Sequence, residues 1–471
     1  MKRTLTHSTI LAVLLCGIVS ASESVLDGFD FSQENLHADC EILAPAKIIP
    51  SEKTEDDSLV RPGDIPIRPP KLVQTETGQL VLVQYTARNH HSGTPTQANT
   101  QATNPSPVLD IPQHYRDFNS MGEAERLNSV KRSIESVMTA NLRRGMNTQS
   151  NTPNEIMLMS LPYGADAKVF QPNPHFDPRD RNANATSRGN NIYSIGVLCW
   201  NTPAGGKTML RTDGVKVIAR VGHGYQNRPA SFAAMLAMSN IMPNYEIRVN
   251  NASYTIAHLI ASEKLALSKG MNMSMALVAL SFYGESNEQW RSELGDVWSI
   301  EQMVMNELNR QIDQGTSDVT DWLLGLTAAV NLYESENRPI RGPMVLAKRQ
   351  LKTYQDFVLS IQNDRYLWHP KFFLYKGFNP DAFETMYSGG HILRWLVYSL
   401  PDNELRDPQI VRAVMSLAAT VNRVKPETMA SSLNTKQLEG LAVSLHALSL
   451  YYQRAFGAIP LDGQGQQIAL R

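Results

Sequence analysis

From Pro229 to Tyr452 the chain repeats one pattern: small and apolar residues at spacings of three and four, then a short polar link. That spacing buries one stripe of a helix, so a succession of such runs constrains the fold to helix packed on helix. The clearest run is Tyr387–Pro401. Ile392, Leu393, Leu396, Val397 and Leu400 share a stripe, and Pro401 stops it. Gly389 and Gly390 read as opening this helix, which places His391 in its first turn. The build recurs at Leu438–Tyr452 with His446, and more loosely at Asp318–Tyr333 and Ser274–Tyr283. Helices are expected over about 229–240, 254–267, 274–283, 300–312, 318–335, 344–362, 382–399, 408–423 and 436–455. Pro229 is expected in a first turn, Ser299–Gln302 reads as a capping box, and Asp407-Pro408 reads as a helix start. Short links make neighbouring helices antiparallel. With one helix from Leu127 to Leu142 and a shorter one after Thr152-Pro153, the expectation is a mainly α fold. Residues 120–457 would form an α/α toroid of about five to six helical hairpins.

The strongest strand signal precedes the helices. Lys207–Val221 alternates on both sides of Asp213-Gly214, which predicts a β-hairpin with a type I′ turn at the rim. It delivers the chain to Gly222-His-Gly-Tyr225, and everything after Pro229 is expected to be helical. Gln171–Asn191 reads as a long polar loop. At the start of the chain Lys2 and Arg3 precede the apolar run Ile10–Val19, which is too short to span a bilayer. Small residues up to Ala21 complete a signal peptide over 1–21, so the mature chain is expected to be exported, periplasmic or extracellular. Residues 22–119 read as a low-complexity, largely disordered linker with a β-hairpin over 71–85, and 458–471 as a flexible tail. No later stretch is apolar enough to span a membrane. Cleavage would leave Cys40 and Cys199, either as separate thiols or as one disulfide. The 44 basic residues nearly balance the 45 acidic ones, so no field attracts nucleic acid.

The run Arg220-Val-Gly-His-Gly-Tyr-Gln, the run Arg291–Gln302 and Gly390-His-Ile-Leu-Arg-Trp-Leu together resemble a group of secreted bacterial proteins. Their folded part is similar to the α/α toroid of terpenoid cyclases and protein prenyltransferases. The resemblance covers Ile192–Gly457 and implies a fold, an exported setting and no particular activity. Gln362–Trp368 also resembles the Gln…Trp loop of toroid repeats. Asp318-Val-Thr-Asp321 keeps only the outer carboxylates of the cyclase Asp-x-Asp-Asp motif. No Cys beyond Cys199 supplies a prenyltransferase zinc ligand. Where the secreted group carries Gly-Gly-Thr-His this chain has Asp318-Val-Thr-Asp321, so a second histidine to pair with His391 is absent there.

In a toroid, polar residues near inner-helix ends line the cavity, and Asp318, Asp321, His391 and Glu439 fall at such positions. His391, Asp321 and Glu439 are the candidate catalytic residues, since a carboxylate pair can act as general acid and base on a glycosidic bond. His223, Tyr225, Trp368, Trp395 and Tyr387 are the candidate ligand-binding residues, with Trp322, Tyr366 and Phe372 as further flat faces. Asp318 and Asp321 could instead cap their helix. His258 and His446 read as core histidines. No metal or cofactor is expected, and no Gly-x-Ser-x-Gly occurs. Two functional classes remain: binding of a polysaccharide or an envelope protein without catalysis, and a carbohydrate-active hydrolase or lyase.

Overall fold

The computed structural model describes four short N-terminal strands, then residues 118, 120–142, 145–175, 188–313, 316–372, 375–424, 432–457 and 459. The strands are β1 (Ile48–Ile49), β2 (Ile65–Pro66), β3 (Lys71–Gln74) and β4 (Leu80–Val83). The expected signal peptide, Cys40, most of the 22–119 linker and nearly all of the 458–471 tail lie outside the described residues. Within that linker, β3 and β4 pair antiparallel with Lys71 opposite Val83, the hairpin its alternation predicts.

Order then proceeds through α1 (Glu123–Leu142) and α2 (Pro153–Ser160) to β5 (Lys168–Pro172), β6 (Gly189–Tyr193), α3 (Ser194–Cys199), β7 (Leu210–Thr212) and β8 (Val217–Ala219). Next come α4 (Ser231–Met238), β9 (Glu246–Val249), β10 (Ala252–Thr255), α5 (Ile256–Leu265), α6 (Ser274–Tyr283), β11 (Gln289–Arg291), β12 (Val297–Ser299) and α7 (Ile300–Asn309). The chain continues with β13 (Ile312–Asp313), α8 (Thr316–Ser335), α9 (Pro343–Ser360), β14 (Tyr375–Lys376), α10 (Ala382–Ser399), α11 (Pro408–Val421) and α12 (Thr435–Phe456). The protein is mainly helical, with small strand pairs between helices. Starts are set by local chemistry. At α2, the Glu155 N–H donates to Thr152 Oγ1 and the Thr152 N–H to Glu155 Oε2, and Pro153 fills the first turn. Asp381 and Asp407 cap α10 and α11 through their side chains.

Two sets of helices follow from the packing. α2, α12, α10, α8, α6 and α4 pack in that order, each against the next. Helices between them in sequence lie alongside: α5 on α4 and α6, α7 on α6 and α8, α9 on α7 and α8, and α11 on α10 and α12, while α1, which precedes them all, lies on α11 and α12. The first set is apolar around most of its girth. In α6, Ser274–Ser281 are all buried, and in α10 every residue from Ser388 to Val397 is buried. Close approach is built from small residues. A Cβ on Gly390 would sit 2.7 Å from the Ser444 backbone nitrogen of α12, and one on Gly325 would sit 2.6 Å from the Ser274 carbonyl of α6.

Several expectations are corrected. Gly389 and Gly390 do not open a helix: α10 begins at Ala382, so the pair and His391 lie mid-helix. The pair packs against α12 and the Leu367 and Leu417 side chains, which a turn would not require. The stretch after Pro229 is not all helical, because β9–β10 and β11–β12 are antiparallel hairpins. Asn250 and Asn251, at φ of 50° and 66°, form the tight turn of the first. The 207–221 hairpin exists, but Thr212 pairs with Val217, which leaves four loop residues rather than a two-residue turn. Asp213 Oδ1 accepts from the Val215 and Lys216 N–H groups and so widens it. Pro229 precedes α4, which starts at Ser231 after Ala230 at φ 61°. Both ends of the polar segment Gln171–Asn191 are paired strand, with Gln171 opposite Asn190.

Candidate functional site

The N-terminal parts of α8 and α12 and the middle of α10 meet beside Arg228 of the loop before α4. Asp321 of α8 is the centre. Its Oδ1 accepts from Arg394 Nη2 at 2.9 Å and its Oδ2 from Arg228 Nη1 at 3.1 Å. Arg228 Nη1 also lies 3.2 Å from Asp318 Oδ1, and Arg310 Nη1 lies 3.4 Å from Asp318 Oδ2. Arg310 in turn pairs with the fully buried Glu307 at 3.1 Å. On the other side His391 Nδ1 is 3.3 Å from Thr320 Oγ1 and 3.5 Å from Arg394 Nη2, while Nε2 is 3.4 Å from Glu439 Oε1. Acid and base therefore alternate from α7 to α10 through Glu307, Arg310, Asp318, Arg228, Asp321 and Arg394, and His391 then links Arg394 to Glu439 of α12. Low dielectric strengthens each contact and makes each loss costly.

The three residues expected to be catalytic, His391, Asp321 and Glu439, thus fall in one place. Their setting differs from a free acid–base pair. Asp321 is clamped by two arginines. Helix α8 begins at Thr316, so Asp318 and Asp321 both lie inside it, Asp318 in its first turn, and both carboxylates pair with guanidinium groups. Burial pushes the Glu439 carboxyl up, but the His391 contact and the charges of His391, Arg394 and Arg228 together hold it below the ordinary value. Tyr387 stands edge-on to His391 with ring centroids 4.8 Å apart, and Lys436 Nζ lies 5.6 Å from its centroid. Burial first, then the Glu439 charge, raise the Tyr387 pKa, so its hydroxyl stays protonated.

Two buried nitrogens here have no hydrogen-bond partner among the described residues: Arg394 Nε and, deeper along α12, His446 Nδ1. His391 Nε2 has only its long contact to Glu439. Burial and the Arg394 charge push His446 down to about 3, so it stays neutral and is the core histidine its stripe implied. His258 is not: it is exposed, and its Nδ1 accepts from the Thr255 N–H at 3.1 Å at the start of α5.

The remaining expected ligand residues divide. His223 is exposed, and its carbonyl accepts from Lys207 Nζ at 2.7 Å. Tyr225 is half-buried, with Lys207 and Arg220 at 5.2 and 5.9 Å from its ring centroid. Their loop is fastened by buried Gln226, which donates to the Ala219 carbonyl at 3.1 Å and accepts from the Phe232 N–H at 2.9 Å. This carries Arg228 into the charge ladder. Trp368 and Trp395 are core residues, 1% and 0% exposed, with indole N–H groups donating to the Val358 carbonyl and Thr327 Oγ1. Neither presents a face to a ligand, and the buried Trp322 and Phe372 do not either. Arg394 shares a helix face with Tyr387 and His391, a signal the sequence carried. Arg228, beside Pro229 in a loop, had none.

Cys199 is buried and unpaired, and burial raises its thiol pKa. Among the described residues no cluster of three or more His, Cys, Asp or Glu is placed to hold a metal, and no helix is long and apolar enough to cross a membrane. No protein family, no curated protein and no solved structure matches the chain.

Proposed function

We propose that this chain is an exported α/α-toroid protein that binds a polysaccharide or an envelope protein at the charge ladder, without turning it over. The alternation of the two helix sets supports the toroid, with α2, α12, α10, α8, α6 and α4 as its inner ring. The apolar run near the N-terminus supports export. One observation carries the binding reading: the ladder reaches the surface at Arg228, whose side chain is 27% exposed while it pairs with Asp318 and Asp321. Arg394 and His391 are themselves buried, 5% and 2% exposed, and brace the ladder from within, while Asp321 and Glu439 are compensated by their partners. Tyr225, flanked by Lys207 and Arg220, extends this surface outward through Arg228.

A second reading, a hydrolase or lyase, draws on His391 lying between Glu439 and the ring of Tyr387. It ranks below the first because the two-carboxylate mechanism needs two available acids, and Asp321 is held by two guanidinium groups. Affinity electrophoresis against neutral and acidic polysaccharides tests the proposal. The parent should be retarded by at least one polymer, and Arg228→Ala and Tyr225→Ala should each release it. Retardation by no polymer, together with no envelope protein recovered by crosslinking, would remove the proposal.

A further inference from the structure

Beside the loop that carries Arg228 into the ladder stand two more cations, Lys207 and Arg220, on either side of one aromatic residue in sequence and close to its ring. Lys207 Nζ donates to the His223 carbonyl at 2.7 Å and lies 5.2 Å from the Tyr225 ring centroid. The Arg220 guanidinium lies 5.9 Å from the same centroid, and its Nε makes only a long 3.4 Å contact to the Leu210 carbonyl. Among the described residues neither cation has a carboxylate within ion-pair distance. The ladder does not supply one. Its Glu307, Asp318 and Asp321 are matched by Arg228, Arg310 and Arg394, and Glu439 is met by His391. Lys207 and Arg220 are therefore positive charge that nothing nearby answers. Their placement is specific. A Cβ on Gly224 would sit 2.7 Å from Lys207 Nζ, so glycine there is what lets the ammonium lie against the loop. A Cβ on Gly206 or Gly222 would meet nothing within 4 Å, so the space beside the pair is open rather than enclosed. Lys207 spends one donor on the His223 carbonyl and keeps the rest, and Arg220 keeps both Nη groups, for an acceptor from outside.

We propose that Lys207, Arg220 and Tyr225 form a subsite for the anionic group of an acidic polysaccharide, a carboxylate or a sulfate, so that the polymer held at the ladder is a charged one. This rests on the polysaccharide reading of the ladder and adds its substrate class. The guanidinium fork meets a pair of anionic oxygens, the ammonium adds a point charge, and Tyr225 offers its ring and hydroxyl to the sugar. A neutral polymer would leave both charges unanswered.

Isothermal titration of the full chain with two matched pairs tests this: polygalacturonate against its methyl ester, and dextran sulfate against dextran. Within a pair the backbone is shared and only the charge differs, and the two pairs separate carboxylate from sulfate. At least one charged polymer should bind about tenfold or more tightly than its neutral match, and its affinity should fall as salt is added. Lys207→Gln and Arg220→Gln should each weaken that binding about tenfold, and Arg220→Lys should recover part of the loss. Lys352→Gln, which removes an exposed charge on α9, should change nothing. The matched pairs and the salt response use the parent alone, so they decide the question whatever the variants do to folding. Equal binding of charged and neutral partners overturns the subsite and leaves the polysaccharide reading standing. Full affinity in both glutamine variants, or an equal loss in Lys352→Gln, does the same. Binding of no polymer removes both.

Discussion

Replacing Gly390 and its neighbour Gly389 separately by alanine tests the packing on which the site depends. In a helix interior, alanine is favoured over glycine by about 1 kcal/mol, so both changes start with that gain. At Gly389 the new methyl meets Leu367 Cδ2 at 3.3 Å and Leu417 Cδ1 at 3.4 Å. Those are ends of flexible side chains and can give. Gly389→Ala is expected to lie between neutral and about 1 kcal/mol more stable. At Gly390 the methyl meets the Ser444 backbone nitrogen and Oγ at 2.7 Å and its Cα at 2.9 Å. Backbone cannot rotate away, so α10 and α12 must separate. Overpacking of this kind costs about 1–3 kcal/mol, and separation also exposes apolar surface along a whole helix pair. The two variants should therefore differ by about 2 kcal/mol or more in urea unfolding, with Gly390→Ala the weaker. Equal midpoints for the two would refute the close α10–α12 contact and with it the placement of His391 against Glu439.

Four further outcomes follow from the same geometry. Leu396→Ala, at a fully buried position, should cost about 2–5 kcal/mol, and His391→Gln, which keeps a donor but loses the buried ring packed on Tyr387, should also melt below the parent; calorimetry compares both with it. Asp321→Ala leaves Arg394, only 6% exposed in its side chain, without its carboxylate and should cost about 3–5 kcal/mol, read by urea unfolding. His446 is held below its ordinary value of 6.5 at about 3, so the unfolded chain takes up this proton first and stability falls as pH drops from 6.5 toward 3. Glu439, held below 4.5, adds loss in the same direction at lower pH, and His446→Leu should move the acid unfolding midpoint down. Cys199 should resist alkylation in the native protein and react only on unfolding, followed by peptide mapping.

The helices were legible because their periodicity is strong: α6 and α10 run over 274–283 and 382–399, as the apolar spacing indicates. The hairpins were not, because β9 to β12 are strands of three or four residues whose alternation is too short to separate from helix-flanking loops. Asn250-Asn251 was the usable signal, as two residues that tolerate the left-handed region. Asp321 and Glu439 could be anticipated to gather from their places near the starts of α8 and α12, but His391 joins them from the middle of α10 and not from the helix end its glycines suggested. What they are bonded to could not be anticipated. Arg228 reaches Asp321 across 93 residues of chain, and no local pattern reports such a pairing. The aromatics misled for a related reason: Trp368 and Trp395 are as apolar as they are flat, and the core took both.

On the proposed function, the ladder from Glu307 to Glu439 holds a ligand and does not transform it. Incubating the parent with whichever polysaccharide retards it, and measuring bound polymer, new reducing ends and unsaturated products in one sample, addresses this directly. Binding should be saturable and lost in Arg228→Ala, with both product signals at the level of polymer alone. Products that accumulate with time in the parent and vanish in His391→Gln would contradict it and establish the catalytic reading instead.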